Sequence, residues 1–156
     1  MLHSRKFAQF TARTIMKRLL VLTTLLLSFA LLVACGDDEL SADTPVNLAT
    51  LPKTIDVRTA AAIKDRDEVV LIDVREQWEY DEAHIPGVTL IPMSEFESRV
   101  SELPQDKTVV LTCRSGNRSG QAYDYLTNLG YDNVHNMRGG ILAWESAGLE
   151  VKRGEN

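Results

Sequence analysis

Thr108-Val109-Val110-Leu111-Thr112 runs directly into Cys113-Arg114-Ser115-Gly116-Asn117-Arg118-Ser119-Gly120, and the reading of this junction decides the fold. The short apolar run has the texture of a strand buried on both faces. Gly116 supplies the tight point of a loop. Beyond it, Ala122, Tyr125, Leu126 and Leu129 share one face of a helix expected over residues 119–129, with Gly130 as its stop. Strand, tight loop and helix make the repeating unit of a parallel sheet. Ligands of such sheets lie at the carboxyl ends of the strands, which is where Cys113 stands.

The same texture extends in both directions. Strands are expected at Ile55-Asp56-Val57, at Val69-Val70-Leu71-Ile72-Asp73-Val74, at Val88-Thr89-Leu90-Ile91 and at Val134-His135-Asn136. Helices are expected over residues 59–64, opened by a Thr59 cap, and over 76–82, 94–100 and 141–147. Pro86-Gly87 and the segment from Pro104 to Lys107 read as turns. Strands alternating with helices predict an α/β fold whose parallel sheet is covered on both sides. Residues 52–156 are enough for one hydrophobic core.

The amino-terminal part has a different character. Lys17-Arg18 precede an apolar-leaning stretch from Leu19 to Val33, which ends at Ala34-Cys35-Gly36. A basic start, an apolar middle and small residues at the end describe a secretory signal over residues 1–34, and Met16 is an alternative start. The apolar stretch is short of the ~20 residues that a spanning helix needs. Leu32-Val33-Ala34-Cys35 resembles the bacterial lipobox, whose cysteine becomes the lipid-bearing first residue of the mature chain. Acyl chains then hold a soluble domain to a bilayer at ~0.8 kcal/mol per buried CH₂. Residues 35–51 are polar and include Asp37-Asp38-Glu39, as a flexible linker would. The expected location is the cell envelope, on a membrane face toward the periplasm or exterior.

All 22 acidic residues follow Cys35, against 12 Lys and Arg, a formal −10 for the mature part. So acidic a body argues against nucleic acid, which needs basic stripes to neutralise phosphates. Arg114 and Arg118 form a local exception beside Cys113. With Cys35 lipidated, Cys113 is the sole mature thiol and no internal disulfide can form. No Cys or His pairs stand at metal-ligand spacing, and no cofactor is implied. Free cysteines are commonly buried structural residues, but the polar company of Cys113 does not suit a core. A thiol where backbone N–H groups converge, ahead of a helix N-terminus, is placed to ionise and to hold an anion.

Three motifs carry a family resemblance. Leu71-Ile72-Asp73-Val74-Arg75-Glu76, with Trp78-Glu79-Tyr80 and His84-Ile85-Pro86-Gly87-Val88, resembles the amino-terminal signature of rhodanese domains. The loop from Cys113 to Ser119 resembles their active-site loop. Gly139-Gly140-Ile141-Leu142-Ala143-Trp144 and Ala147-Gly148-Leu149 resemble their carboxy-terminal signature. One departure is Ala83, where the family usually has Gly before the His.

The resemblance implies a three-layer fold with a central, mostly parallel five-stranded sheet. It also implies a sulfurtransferase; with one domain, a monomer is the default expectation. In that chemistry the Cys113 thiolate takes the outer sulfur of thiosulfate or another sulfane donor, sulfite leaves, and cyanide or a small thiol removes the sulfur. Arg114 would attract the donor, Gly116 would relieve the tight backbone, Asn117 would brace the loop through side-chain hydrogen bonds, and Ser115, Arg118 and Ser119 would complete it. For Arg118 two roles are open, pairing with an acidic neighbour or touching substrate. Asp73 and Arg75 read as an ion pair supporting the loop. His84 reads as hydrogen-bonded to a turn, and Trp78 and Trp144 as core or rim packing.

Other classes are weaker. A carrier or sensor module could hold a persulfide without turnover. Cysteine phosphatases and arsenate reductases resemble this loop but have one more residue between Cys and Arg, and a phosphatase also needs an acid for its leaving group.

Overall fold

The computed structural model describes residues 45–154. The signal segment, Met16, Cys35 and the linker up to residue 44 lie outside the described residues. Strands β1 (Thr54–Ile55), β6 (Val134–Met137), β5 (Thr108–Thr112), β2 (Val69–Asp73) and β4 (Thr89–Leu90) form one sheet in that spatial order, and every pairing in it is parallel. The parallel α/β architecture is thus the one that the strand–helix alternation implied, with the five strands that the family resemblance implied.

Alternation along the strands builds two cores. Val109, Leu111 and Cys113 face one side with Ile72, Phe96, Ala122 and Leu126. Val110 faces the other with Leu71, Ala60, Ile63, Met137 and Trp144. Helices α1 (Val57–Ile63) and α5 (Gly140–Ser146) bury residues in the second cluster, and α3 (Phe96–Arg99) and α4 (Asn117–Asn128) in the first. In the central pair Asp73 stands opposite Thr112, so β2 and β5 end level. That register brings Asp73 and Cys113 to the same carboxyl edge of the sheet.

Some boundaries differ from the sequence reading, each for a local reason. Helix α1 starts at Val57 because Asp56, not Thr59, is its cap: Asp56 Oδ1 accepts from the N–H groups of Arg58 (2.8 Å) and Thr59 (2.9 Å). The Thr59 hydroxyl donates to the same carboxylate. The first strand accordingly stops at Ile55. Helix α4 begins two residues early, at Asn117, directly on the Gly116 turn.

Residues 45–51, read as the end of the linker, belong to the packed unit. Val46, Leu48 and Leu51 pack against the second core, and Arg66 Nη1 donates to the Val46 carbonyl at 2.8 Å. A short antiparallel ribbon was also unanticipated: β3 (Ala83–His84) pairs with β7 (Lys152–Arg153). It follows directly on helix α2 (Gln77–Glu82), and its residues Ala83 and Arg153 stand next to the site.

Candidate active site

Cys113 follows the last residue of β5 and is 1% exposed, a free thiol set under its own loop. The Gly116 N–H donates to its Sγ at 3.1 Å, and the Ser119 hydroxyl lies 3.4 Å from the same atom. Burial pushes the thiol pKa up. The Ser119 hydroxyl and the N–H groups of Ser119, Ser115 and Gly116 outweigh it, so the thiol lies below its ordinary value. The twelve-residue helix α4 opens directly behind, with its positive end toward the sulfur.

The N–H groups converge because the carbonyls are drawn the other way. Helix α5 presents its free amino-terminal donors to the loop. Ile141 N–H donates to the Cys113 carbonyl at 2.8 Å, and Leu142 N–H to the Arg114 carbonyl at 3.2 Å. Such closeness requires glycine at position 140. A Cβ there would sit 2.2 Å from the Cys113 carbonyl oxygen and 2.6 Å from the Arg114 carbonyl carbon. Gly116, at φ +95°, makes the turn itself, and a Cβ there would meet the Gly139 backbone nitrogen at 3.0 Å, a tight contact without the overlap found at 140.

Side chains fix the loop from two sides. Asn136 Nδ2 donates to the Gly116 carbonyl at 3.2 Å, which turns its amide oxygen toward Ser119; the Ser119 hydroxyl donates to that oxygen at 2.7 Å. One hydroxyl proton therefore serves two acceptors, Asn136 Oδ1 and Sγ, and ionisation of the sulfur tips it toward Sγ. On the other side, Arg118 makes a two-pronged pair with Glu79, at 2.6 and 2.7 Å. That pairing, ahead of the cost of burial, holds the Glu79 carboxyl below the usual range.

Arg75 lies beneath. Its guanidinium grips Asp73 (Nη2 to Oδ2, 2.6 Å) and donates to the carbonyls of Glu79 and Ala83, at 3.1 and 2.7 Å. Both partners are almost fully buried. Arg75 thus positions Glu79, and Glu79 positions Arg118. Asp73 and Arg75 do not touch the sulfur.

A cleft of about 540 Å³ opens beside this frame, lined by Arg114, Arg118, Trp78, Glu82, Leu142 and neighbours. Arg114 and Ser115 are exposed, and so is Asn117. No side-chain hydrogen bond is formed by Asn117 among the described residues. The bracing expected of it is supplied by Asn136. His84 is buried, stacked on Tyr80 and bonded through Nδ1 to the Tyr80 carbonyl at 2.9 Å. Trp144 is core, whereas Trp78 is 68% exposed on the rim of the cleft. Among the described residues no group of three or more His, Cys, Asp or Glu side chains is gathered as for a metal ion.

Comparison with known proteins meets this geometry. Residues 56–147, more than half of the chain, match the rhodanese-like domain model. The chain belongs to the rhodanese-like family. A sulfurtransferase of Allochromatium vinosum is 44% identical over 89 residues, covering 57% of this chain and 83% of that one. The thiosulfate sulfurtransferase GlpE of Pseudoalteromonas translucida is 30% identical over 95 residues, 61% of this chain and 90% of its own. Among solved structures, a rhodanese-related protein of Thermoplasma volcanium superposes with a TM-score of 0.59 at 30% identity, covering 65% of this chain and 98% of that one.

In this rhodanese-like domain, sequence reasoning missed the residues that act across the chain: Glu79 on Arg118, Asn136 on Gly116 and Ser119, and Gly140 under the loop. The paired glycines at 139–140 were the available signal, because a Gly-Gly step at a strand–helix junction points to close backbone approach. A Gly140→Ala variant must push the Cys113 carbonyl away. The expected result is a loss of about 1–3 kcal/mol in stability and a thiol pKa that rises toward its ordinary value. Thermal melts and the pH dependence of thiol alkylation measure the two, and a variant with an unmoved thiol would refute the clamp.

Proposed function

We propose that this chain is a sulfurtransferase that moves a sulfane sulfur from thiosulfate or a related donor to a thiophilic acceptor through a persulfide on Cys113. The observation that carries the reading is the cradle of N–H and O–H donors on one thiol, with Gly116 N at 3.1 Å from Sγ. The relatives named as sulfurtransferases support it.

The thiolate attacks the outer sulfur of thiosulfate; a new S–S bond forms, the old one breaks, and sulfite departs with its electron pair. The product, Cys113–S–S⁻, carries one negative charge, as did the thiolate. The same donors stabilise both anions, so they need not rearrange between steps. Cyanide or a thiolate then takes the outer sulfur, and Cys113 leaves as thiolate. A lowered pKa makes it a good leaving group. Arg118 is engaged by Glu79, so Arg114, exposed and without an ion-pair partner among the described residues, is the group that draws the donor in.

Incubation with thiosulfate should add about 32 mass units, one sulfur atom, to the intact protein, and cyanide or a small thiol should then remove it. A gain that no acceptor removes would make the chain a persulfide carrier instead. No gain at all would end both readings.

We further propose that Cys35 carries lipid and tethers the domain to a membrane of the cell envelope. The basic, apolar and Leu-Val-Ala-Cys pattern of residues 17–35 supports this. Palmitate labelling should be lost in Cys35→Ala, and its persistence would overturn the anchor.

A further inference from the structure

Behind the Cys113 loop three polar groups stand in line: the sulfur of Cys113, the hydroxyl of Ser119 and the amide of Asn136. The order of donors is fixed from the far end. The Gly116 carbonyl can only accept, so the Asn136 NH₂ faces it at 3.2 Å and the amide oxygen faces Ser119. That oxygen also only accepts, so the Ser119 hydroxyl donates to it, at 2.7 Å. This is the preferred length for such a bond. The sulfur, 3.4 Å from the same hydroxyl, must therefore compete for its one proton. Ser119 is fully buried, so bulk water does not replace either acceptor.

The sheet keeps the competitor in place. Asn136 stands opposite Leu111 on β5 and Thr54 on β1, and its backbone N–H donates to the Lys53 carbonyl at 2.9 Å. An amide mounted on a strand that is paired on both sides does not retreat when the sulfur ionises. The two halves of the reaction make opposite demands on that sulfur. As nucleophile, a thiolate of higher pKa attacks faster; as leaving group, one of lower pKa departs faster. A hydroxyl bond given wholly to the sulfur would favour departure at the expense of attack.

We propose that Asn136 is a positioning residue that withholds part of the Ser119 hydroxyl bond from Cys113, and so holds the sulfur between the needs of a nucleophile and those of a leaving group. The proposal rests on the sulfurtransferase reading above. Asn136 acts only through Ser119 and exchanges no proton with a substrate.

Asn136→Ala removes two things at once, the competitor for the Ser119 proton and the brace on the Gly116 carbonyl. A double-mutant cycle with Ser119→Ala separates them, because without the hydroxyl only the brace remains to be lost. The reading is the midpoint of the pH profile of iodoacetamide alkylation at Cys113, followed by peptide mapping in the full chain. The shift that Asn136→Ala causes should lie lower with Ser119 present than without it, by about half a pH unit or more. That is about threefold in the ionisation constant, the worth of a modest hydrogen bond. Arg118, whose charge reaches the sulfur, is held by Glu79, and Asp73 by Arg75; these charges are common to all four proteins and cancel in the cycle. Asn136→Leu, similar in volume and without polar side-chain atoms, should give the same sign and carries the test if Asn136→Ala does not fold. A shift that is equal in both backgrounds, or higher with Ser119 present, would overturn the proposal.

The same cycle applies to the half-reactions, with thiosulfate and then cyanide as probes at a pH where the thiol is ionised. Charging should be slowed and discharge quickened through Ser119, each by about one-and-a-half-fold; coupling of one sign in both halves would also overturn the proposal. The alkylation profile needs no sulfur donor, which separates the two readings. Coupling in a chain that takes no sulfur from thiosulfate would sustain the hold of Asn136 on the Ser119 proton and sink the sulfurtransferase. Sulfur uptake and release without coupling would do the reverse.

Discussion

Cys113→Ser should take up no sulfur from thiosulfate, and release of thiocyanate from cyanide should fall by at least about a thousandfold, as when a covalent nucleophile is removed. The change is small in volume at a site that is 1% exposed, so thermal melts should alter little. What is lost is ionisation. The donors from Ser115, Gly116 and Ser119 bring a thiol below its ordinary value, but a hydroxyl begins too high for them to matter at neutral pH. The sign is testable in the wild type. Alkylation by iodoacetamide tracks the thiolate, so its pH profile should turn over below the ordinary thiol range of about 8.5, and Ser119→Ala should move it upward. Because the folded pKa is the lower one, the thiolate's contribution to stability is complete above the unfolded value and is lost as pH falls through the folded value. A Ser variant that still releases thiocyanate at the original rate would remove position 113 from the reaction.

Arg75→Ala should be the most damaging change to stability, about 3–5 kcal/mol by denaturant unfolding. It strands the Asp73 carboxylate, which is almost fully buried, and removes the guanidinium donors from the carbonyls of Glu79 and Ala83, the first of which keeps only the Ala83 N–H. Its reach should extend to the loop. Glu79 loses its support, Arg118 loses a fixed partner, and the alkylation profile of Cys113 should broaden or shift. A second change, Asp73→Leu with Arg75→Met, should recover part of the stability because no unpaired charge remains. A loss below about 1 kcal/mol for Arg75→Ala, the range of an exposed pair, would show that the pair is not a clamp.

How far the chain could be read from its residues follows from the range of each signal. Strands β2 and β5 were legible because both faces are covered, and continuous apolar runs mark such strands. The loop was legible because Cys113, Gly116 and the following helix are contiguous. The β3–β7 ribbon was not: it has two residues per strand, and Lys152 and Arg153 are exposed, so no period can form. The start of α1 was misread because Asp and Thr side chains can both cap a helix, and Asp56, three residues before Thr59, takes both N–H groups. Glu79 was out of reach for a different reason. It is one of many acidic residues, 39 positions from Arg118, and only the folded chain selects it. Asn117 looked like the brace because it stands in the loop, whereas Asn136 does the bracing from β6, across the sheet edge.

The hold of Ile141 and Leu142 on the loop carbonyls also bears on when the site comes into being. Part of what holds the backbone around Cys113 from outside arrives with the last helix, after the loop itself has been synthesised. Until that helix folds back, the Cys113 and Arg114 carbonyls lack these two donors, and the loop that carries the N–H groups is held less firmly. The full donor set on this thiol is therefore expected only in the completed fold, and an unfinished chain lacks it.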